Sequence, residues 1–164
     1  MARAIIVGGG AFSPALLPAR EAGDLLIAAD SGYRQLQAAG VEPDLCIGDW
    51  DSLGAVPQGR EVVTLPVAKD DTDLVAAARA GLARGMREFL FLGALGGARF
   101  SHSLAAVQTL AWLAAEGANC VLRDQACTLY TLRDAVRRFP ADAAGHLSVF
   151  ALTDRAAVTL EGLW

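Results

Sequence analysis

An α/β fold, with a parallel sheet carrying helices on both faces, is the class this chain predicts, followed by the start of a smaller antiparallel β domain. Up to about Arg123, short apolar runs alternate with helical segments, which is the pattern of βαβ units. Polar or glycine-rich clusters follow most of those runs, as they do where strands end at a binding face. From Asp124 onward the runs are β-like and joined by turns, with no helical period between them. Residues 1–123 are thus expected to form the α/β domain. Residues 124–164 are expected to begin the β domain and to leave it incomplete.

The first strand is read at Arg3–Val7, running into Gly8-Gly9-Gly10 and then Ser13-Pro14, a favourable helix start. The spacing is not Gly-x-Gly-x-x-Gly with its acidic partner, so a dinucleotide fingerprint is not supported. Leu25–Ala29 is a second strand, followed by Asp30-Ser31-Gly32 and a helix from about Tyr33 to Ala39, closed by Gly40. Pro43-Asp44 turns into a third strand at Leu45, and Glu61–Leu65 is a short fourth. Asp71 or Thr72 is placed to cap an alanine-rich helix from Leu74 to Arg84. Glu88–Leu92 is the clearest strand; it runs into Gly93–His102, and a helix opened by His102 follows through about Glu116. Asn119–Arg123 is one more strand, with β-like runs at Cys127–Leu132, Leu147–Ala151 and Ala157–Leu160.

Composition narrows the function. The chain has 164 residues, 54% hydrophobic and 20% charged, enough for a sizeable core. A net charge of −4 argues against a nucleic-acid surface, which would be basic. No apolar run approaches the roughly 20 residues that span a bilayer, and the N-terminus lacks a signal-peptide layout. Cys46, Cys120 and Cys127 have no metal-ligand spacing; they read as small core residues in a reduced cytoplasm. Lys69 is the sole lysine among 14 basic residues.

The chemistry concentrates in Gly48-Asp49-Trp50-Asp51-Ser52. In extended chain, residues i and i+2 point the same way, so Asp49 and Asp51 can converge just past a strand end. Adjacent carboxylates repel, and a divalent cation such as Mg²⁺ relieves that. Carboxylates at three strand ends, glycine turns offering N–H groups, and Lys69 and Arg99 as fixed cations together suit phosphoryl-type transfer.

Four motifs in order then define a resemblance: Ala-Asp-Ser-Gly at 29–32, Pro-Asp-x-x-Ile-Gly-Asp-x-Asp-Ser at 43–52, Lys-Asp-Asp-Thr-Asp at 69–73 and Gly-Gly-x-Arg-Phe-x-His at 96–102. The chain resembles thiamin pyrophosphokinases over essentially its whole length. The resemblance implies a nucleotide-binding α/β domain, then a β-sandwich that helps form the thiamin site in a homodimer. It also implies a reaction in which ATP, the co-substrate, gives its terminal pyrophosphoryl group to thiamin in a Mg²⁺-dependent step. On this basis Asp30, Asp49, Asp51 and Asp73 match the metal positions, and Asp51, Asp73 and Arg99 the catalytic ones. Asp30, Lys69, Asp70, Gly96, Gly97, Arg99 and His102 match the ATP-facing positions. Asp70 and Asp71 also suit a supporting or capping role, and His102 serves as a hydrogen-bonder or a ligand contact. Trp50 stands where the family often has Phe and reads as packing.

The chain departs from the family pattern at three places. Ala98 is inserted before Arg99 and Ser101 replaces an Asp; Ser31 replaces a Gly; and a Ser-Asn segment near thiamin is not reached by Trp164. Two alternatives follow: a pyrophosphokinase for another acceptor, such as a hydroxymethyl pterin, or a non-catalytic nucleotide-binding or dimerisation relative.

Overall fold

The computed structural model describes residues 1–68, 70–97 and 99–162. Seven strands form one sheet: β1 (Arg3–Val7), β2 (Leu25–Ala29), β3 (Leu45–Gly48), β4 (Val62–Thr64), β5 (Glu88–Leu92), β6 (Asn119–Arg123) and β7 (Thr128–Tyr130). Their order is β4-β3-β2-β1-β5-β6-β7, parallel through β6, with β7 antiparallel to β6. Three helices join them: α1 (Gly32–Ala38), α2 (Asp73–Ala83) and α3 (Phe100–Ala115).

Alternation along the central strands divides the core between the two faces. Ala4 and Ile6 of β1, Ile27 of β2 and Phe89 and Phe91 of β5 pack with Ala77 and Ala78 of α2 and Leu110 and Leu113 of α3. Ile5 and Val7, Leu26, and Leu90 and Leu92 turn to the other face and pack with Leu36 of α1 and with Trp50. Helices therefore cover both faces, as the sequence predicts. Every buried residue among those described lies between Ala4 and Leu122.

The chain adds strands outward from β1 to β4, then crosses back through α2 to place β5 on the other side of β1. The β1–β5 junction is thus where the strand order reverses, the position at which open α/β sheets bind ligands beyond their carboxyl ends. At that junction the two glycine turns zip together: Gly8 N donates to Leu92 O at 2.9 Å, and Gly10 N to Gly93 O at 2.7 Å. Gly32 opens α1 against the end of β1, where a β-carbon would lie 1.9 Å from Val7 O.

Several sequence expectations are corrected locally. The helix started by Ser13-Pro14 is a single 3₁₀ turn, Pro14–Leu16. Pro18 disfavours helical geometry at Leu17, which is extended (φ −74°, ψ 115°). Cys46 and Cys120 are buried, and burial pushes their thiols up to about 11 and about 12. Cys127 is exposed instead of core: Asp124 Oδ1 accepts the N–H groups of Ala126 and Cys127, making a tight turn that holds it outside.

The chain divides into two compact units, Met1–Arg133 and Asp134–Trp164. β7, read from sequence as part of the tail, completes the sheet edge in the first. In the second, the described residues 134–162 are all exposed and form no helix or strand. The β-like runs at 147–151 and 157–160 have no ladder partner among the described residues, and pairing, not composition, makes a strand.

Candidate functional site

The carboxyl ends of the parallel strands open into a cleft of about 580 Å³. Asp30 follows β2, Asp49 and Asp51 follow β3, Asp70–Asp73 lead into α2, Gly96, Gly97 and Arg99 lie between β5 and α3, and His102 is in the first turn of α3. Each of these lines the cleft. Lys69 lies outside the described residues.

Asp30, Asp49 and Asp51 converge most closely, each offering a carboxylate oxygen within 4.8 Å of the other two. Asp30 is buried (8% exposed) and its Oδ1 has no hydrogen-bond partner among the described residues. A buried carboxylate oxygen without a donor is costly unless a cation meets it. Asp49 is half-buried and Asp51 exposed, so the trio runs from the sheet edge out to the cleft mouth.

The convergence of Asp49 and Asp51 has a different origin from the extended-chain spacing read in the sequence. Trp50 between them is left-handed, with φ +64°, a backbone region that bulky residues rarely adopt. Its carbonyl accepts from Leu53 N at 3.2 Å and Gly54 N at 2.9 Å, and Asp51 N donates to Asp49 Oδ1 at 3.2 Å. This is a turn, stapled by its own carboxylate. The indole goes into the core, 4% exposed, while the two flanking carboxylates face outward. Asp30 is also left-handed, φ +45°. Two of the three described non-glycine residues with positive φ thus sit in or between the acidic trio, where roughly 1–3 kcal/mol of strain per residue is typical of functional sites.

On the α2 side, Thr72 is the cap, its hydroxyl accepting from Val75 N at 3.3 Å. Asp71 pairs instead with Arg79 at 3.0 Å, and the Arg79 guanidinium lies 4.8 Å over Trp112 of α3. Asp73 is the first residue of α2 and lines the cleft beside the trio.

Across the cleft, Arg99 stands in extended conformation at the start of α3, with His102 in the first helical turn, both exposed. Ser103, unremarked in the sequence, accepts the Gly96 N–H at 3.0 Å and fixes that glycine turn. Gln35 does the same on the opposite side, donating to Gly10 O at 3.0 Å. The amides of Gly8, Gly10 and Gly96 are therefore engaged within the protein, although glycine turns had suggested amides turned to phosphate.

The cleft lining is strongly negative. Six aspartates (30, 49, 51, 70, 71 and 73) line it, Asp71 among them being paired with Arg79, against the Arg99 guanidinium among the described lining residues. An anionic ligand enters such a site only with a cation. Carboxylate oxygens are hard donors that suit Mg²⁺, Ca²⁺ or Mn²⁺, and Mg²⁺ commonly shares one or two carboxylates with substrate phosphates. The donor set and the orphaned Asp30 oxygen fit a divalent ion.

The catalytic-domain model of thiamin pyrophosphokinase matches residues 19–122. Among solved structures, the chain is similar to thiamine pyrophosphokinase from Bacillus subtilis, with 27% identity and a TM-score of 0.61 over 76% of this chain and 61% of that one. A thiamin pyrophosphokinase family protein from Enterococcus faecalis gives 27% identity and a TM-score of 0.61 over 76% and 62%. Thiamin pyrophosphokinase from Geobacillus thermodenitrificans gives 28% and 0.58 over 76% and 60%. The chain thus spans less than two thirds of the length of these relatives. Comparison with curated proteins gives no match.

Proposed function

Because the chain belongs to the thiamin pyrophosphokinase family, we propose that it receives Mg²⁺ and ATP in the cleft and passes the terminal pyrophosphoryl group of ATP to the hydroxyl of thiamin. The products are thiamin diphosphate and AMP. The observation that carries this reading is the convergence of the Asp30, Asp49 and Asp51 carboxylates within 4.8 Å, at the carboxyl edge of the sheet in a chain of this family.

Asp30, Asp49 and Asp51 hold the ion, with Asp73 as the fourth acidic position that the family resemblance assigns. When bound, Mg²⁺ supplies a positive centre that offsets phosphate charge during transfer. Arg99 offers a fixed guanidinium to the oxygens on which charge develops, and Lys69 a compact ammonium for the same phosphates. Asp70, Gly96, Gly97 and His102 border the nucleotide. Asp51, Asp73 and Arg99 are the residues on which turnover depends.

In this reading residues 1–123 bind ATP and metal, and 124–164 begin the β domain that contributes to the thiamin site in a homodimer. The protein works in the cytoplasm, without nucleic acid or membrane. No helix of the described residues is long and apolar enough to cross a membrane.

The test is AMP formation from ATP and Mg²⁺ with and without thiamin. Thiamin-dependent AMP is the expected result. AMP released only with another hydroxymethyl acceptor would transfer the reading to that acceptor. ATP binding without AMP from any acceptor would favour the non-catalytic alternative, to which Ser101 in place of the family's Asp already lends support.

A further inference from the structure

We infer that Trp50 and Thr64 form a positioning pair that holds Asp49 and Asp51 against Asp30; this rests on the trio being a divalent-cation site. Trp50 Nε1 donates to Thr64 Oγ1 at 2.9 Å. Thr64 lies directly opposite Gly48 in the β3–β4 ladder, and Leu65 N donates to Gly48 O at 2.8 Å. The ladder itself ends there, so the indole bond is what ties the following turn back onto β4.

The arrangement answers a physical need. A left-handed backbone at a bulky residue persists only where its surroundings over-determine it. Around Trp50 they do so from three directions: the ring is buried in the core cluster that includes Leu26, Leu36 and Cys46, its carbonyl caps the turn at Leu53 and Gly54, and its N–H is held by Thr64. Releasing the N–H lets the residue relax toward ordinary backbone angles. The turn then reopens, and Asp49 and Asp51 no longer share one side. A core-filling role alone would need only the ring.

Those two roles separate by substitution. Trp50→Phe keeps a buried aromatic and removes the donor; Thr64→Val removes the acceptor at an exposed residue of β4; Thr64→Ser retains the hydroxyl. The probe is Mn²⁺, followed by the electron paramagnetic resonance of the free ion, alone and with a non-hydrolysable ATP analogue. Melting temperature is measured in parallel. Partners of metal ligands typically change affinity by about tenfold or more when removed. Trp50→Phe and Thr64→Val are therefore expected to weaken Mn²⁺ by about tenfold, while Thr64→Ser matches the wild type and Thr64→Val melts close to it. Unchanged Mn²⁺ affinity in Thr64→Val and Trp50→Phe, with the wild type binding, would overturn the positioning role. So would loss confined to Trp50→Phe and accompanied by a falling melting temperature, which marks a packing residue. A wild-type chain that binds Mn²⁺ in neither arm would overturn the cation-site reading itself.

Discussion

Gly48 passes Asp30 so closely that a β-carbon on it would lie 2.9 Å from the Asp30 α-carbon and 3.1 Å from its β-carbon. The atoms in the way belong to the backbone and the root of a buried side chain, which cannot swing aside. Glycine at this place is what lets the end of β3 deliver Asp49 and Asp51 to the residue that ends β2. Gly48→Ala should therefore part the two strand ends. The expected result is a loss of about 1–3 kcal/mol of stability, as for overpacking in a tight core, together with weakened Mn²⁺ binding. Melting and metal titration of the same variant check it; both unchanged would mean that the strand ends are free to relax.

Asp51 is the opposite case, a trio member whose removal should leave the fold alone. It is exposed, and its Oδ1 accepts from Ser52 Oγ at 3.0 Å. Asp51→Asn preserves shape and removes one charge from the trio. Exposed substitutions usually move stability by less than about 0.5 kcal/mol, so the melting temperature should hold. Mg²⁺-dependent ATP binding should weaken and turnover should cease. Calorimetric titration of ATP with and without Mg²⁺ measures the first, AMP release the second; full activity would remove Asp51 from the metal site.

The fold was legible where one residue type met one requirement. Arg3–Val7, Leu25–Ala29, Glu88–Leu92 and Asn119–Arg123 coincide with their observed strands because each is an apolar run bounded by glycine, proline or charge. The acidic positions were legible because strand ends in a parallel sheet meet at one edge. What escaped was set by contacts between distant residues. Nothing near Trp50 signals a left-handed backbone, since its hydrogen-bond partner is fourteen residues away. Ser103 belongs to the apolar helix pattern and gives no sign that it fixes Gly96. The 3₁₀ turn at Pro14–Leu16 was readable in principle, for Pro18 stands just beyond it.

The opposite edge of the sheet predicts an acid-labile anchor with no part in the chemistry. The Asp24 side chain is fully buried, bonded by Arg3 Nε at 3.0 Å, Arg3 N at 3.1 Å and Glu21 N at 3.0 Å. Burial opposes its charge, but those donors and the Arg3 guanidinium outweigh burial and hold its carboxyl below the ordinary range. A lowered folded-state value means that the stabilisation is complete above the unfolded pKa, about 3.9. It drains away as pH falls from there through the folded value. Asp24→Asn should cost about 1.5–3 kcal/mol at neutral pH, the range for hydrogen bonds to a charged group, and flatten the acid limb of the stability curve. Denaturant unfolding of both proteins from neutral to strongly acidic pH checks it. Parallel curves would mean that another carboxylate governs acid unfolding, and ATP binding at neutral pH should be the same in both.

The two compact units predict where a protease enters. All described residues from 134 to 162 are exposed and lack regular structure, and they include Val136, Phe139, Leu147, Phe150 and Leu160 as large apolar side chains open to solvent. The buried residues, by contrast, all lie at or before Leu122, so the core closes within Met1–Arg133. Backbone outside a ladder or helix opens at little cost, while a bond inside the sheet is reached only through near-global unfolding. Trypsin should therefore cut first at Arg137, Arg138 and Arg155, and leave a resistant fragment that retains residues 1–133. Arg79, Arg84 and Arg87, within or just after α2, should be cut far more slowly. Exposed apolar side chains also promote association, so light scattering should fall as the cleavage proceeds. Mass spectrometry of a time course reads the order of cuts directly. Cleavage in α2 at the rate seen beyond Arg133 would mean that residues 134–162 are protected in solution, and the apolar side chains there would then have to be covered by a partner.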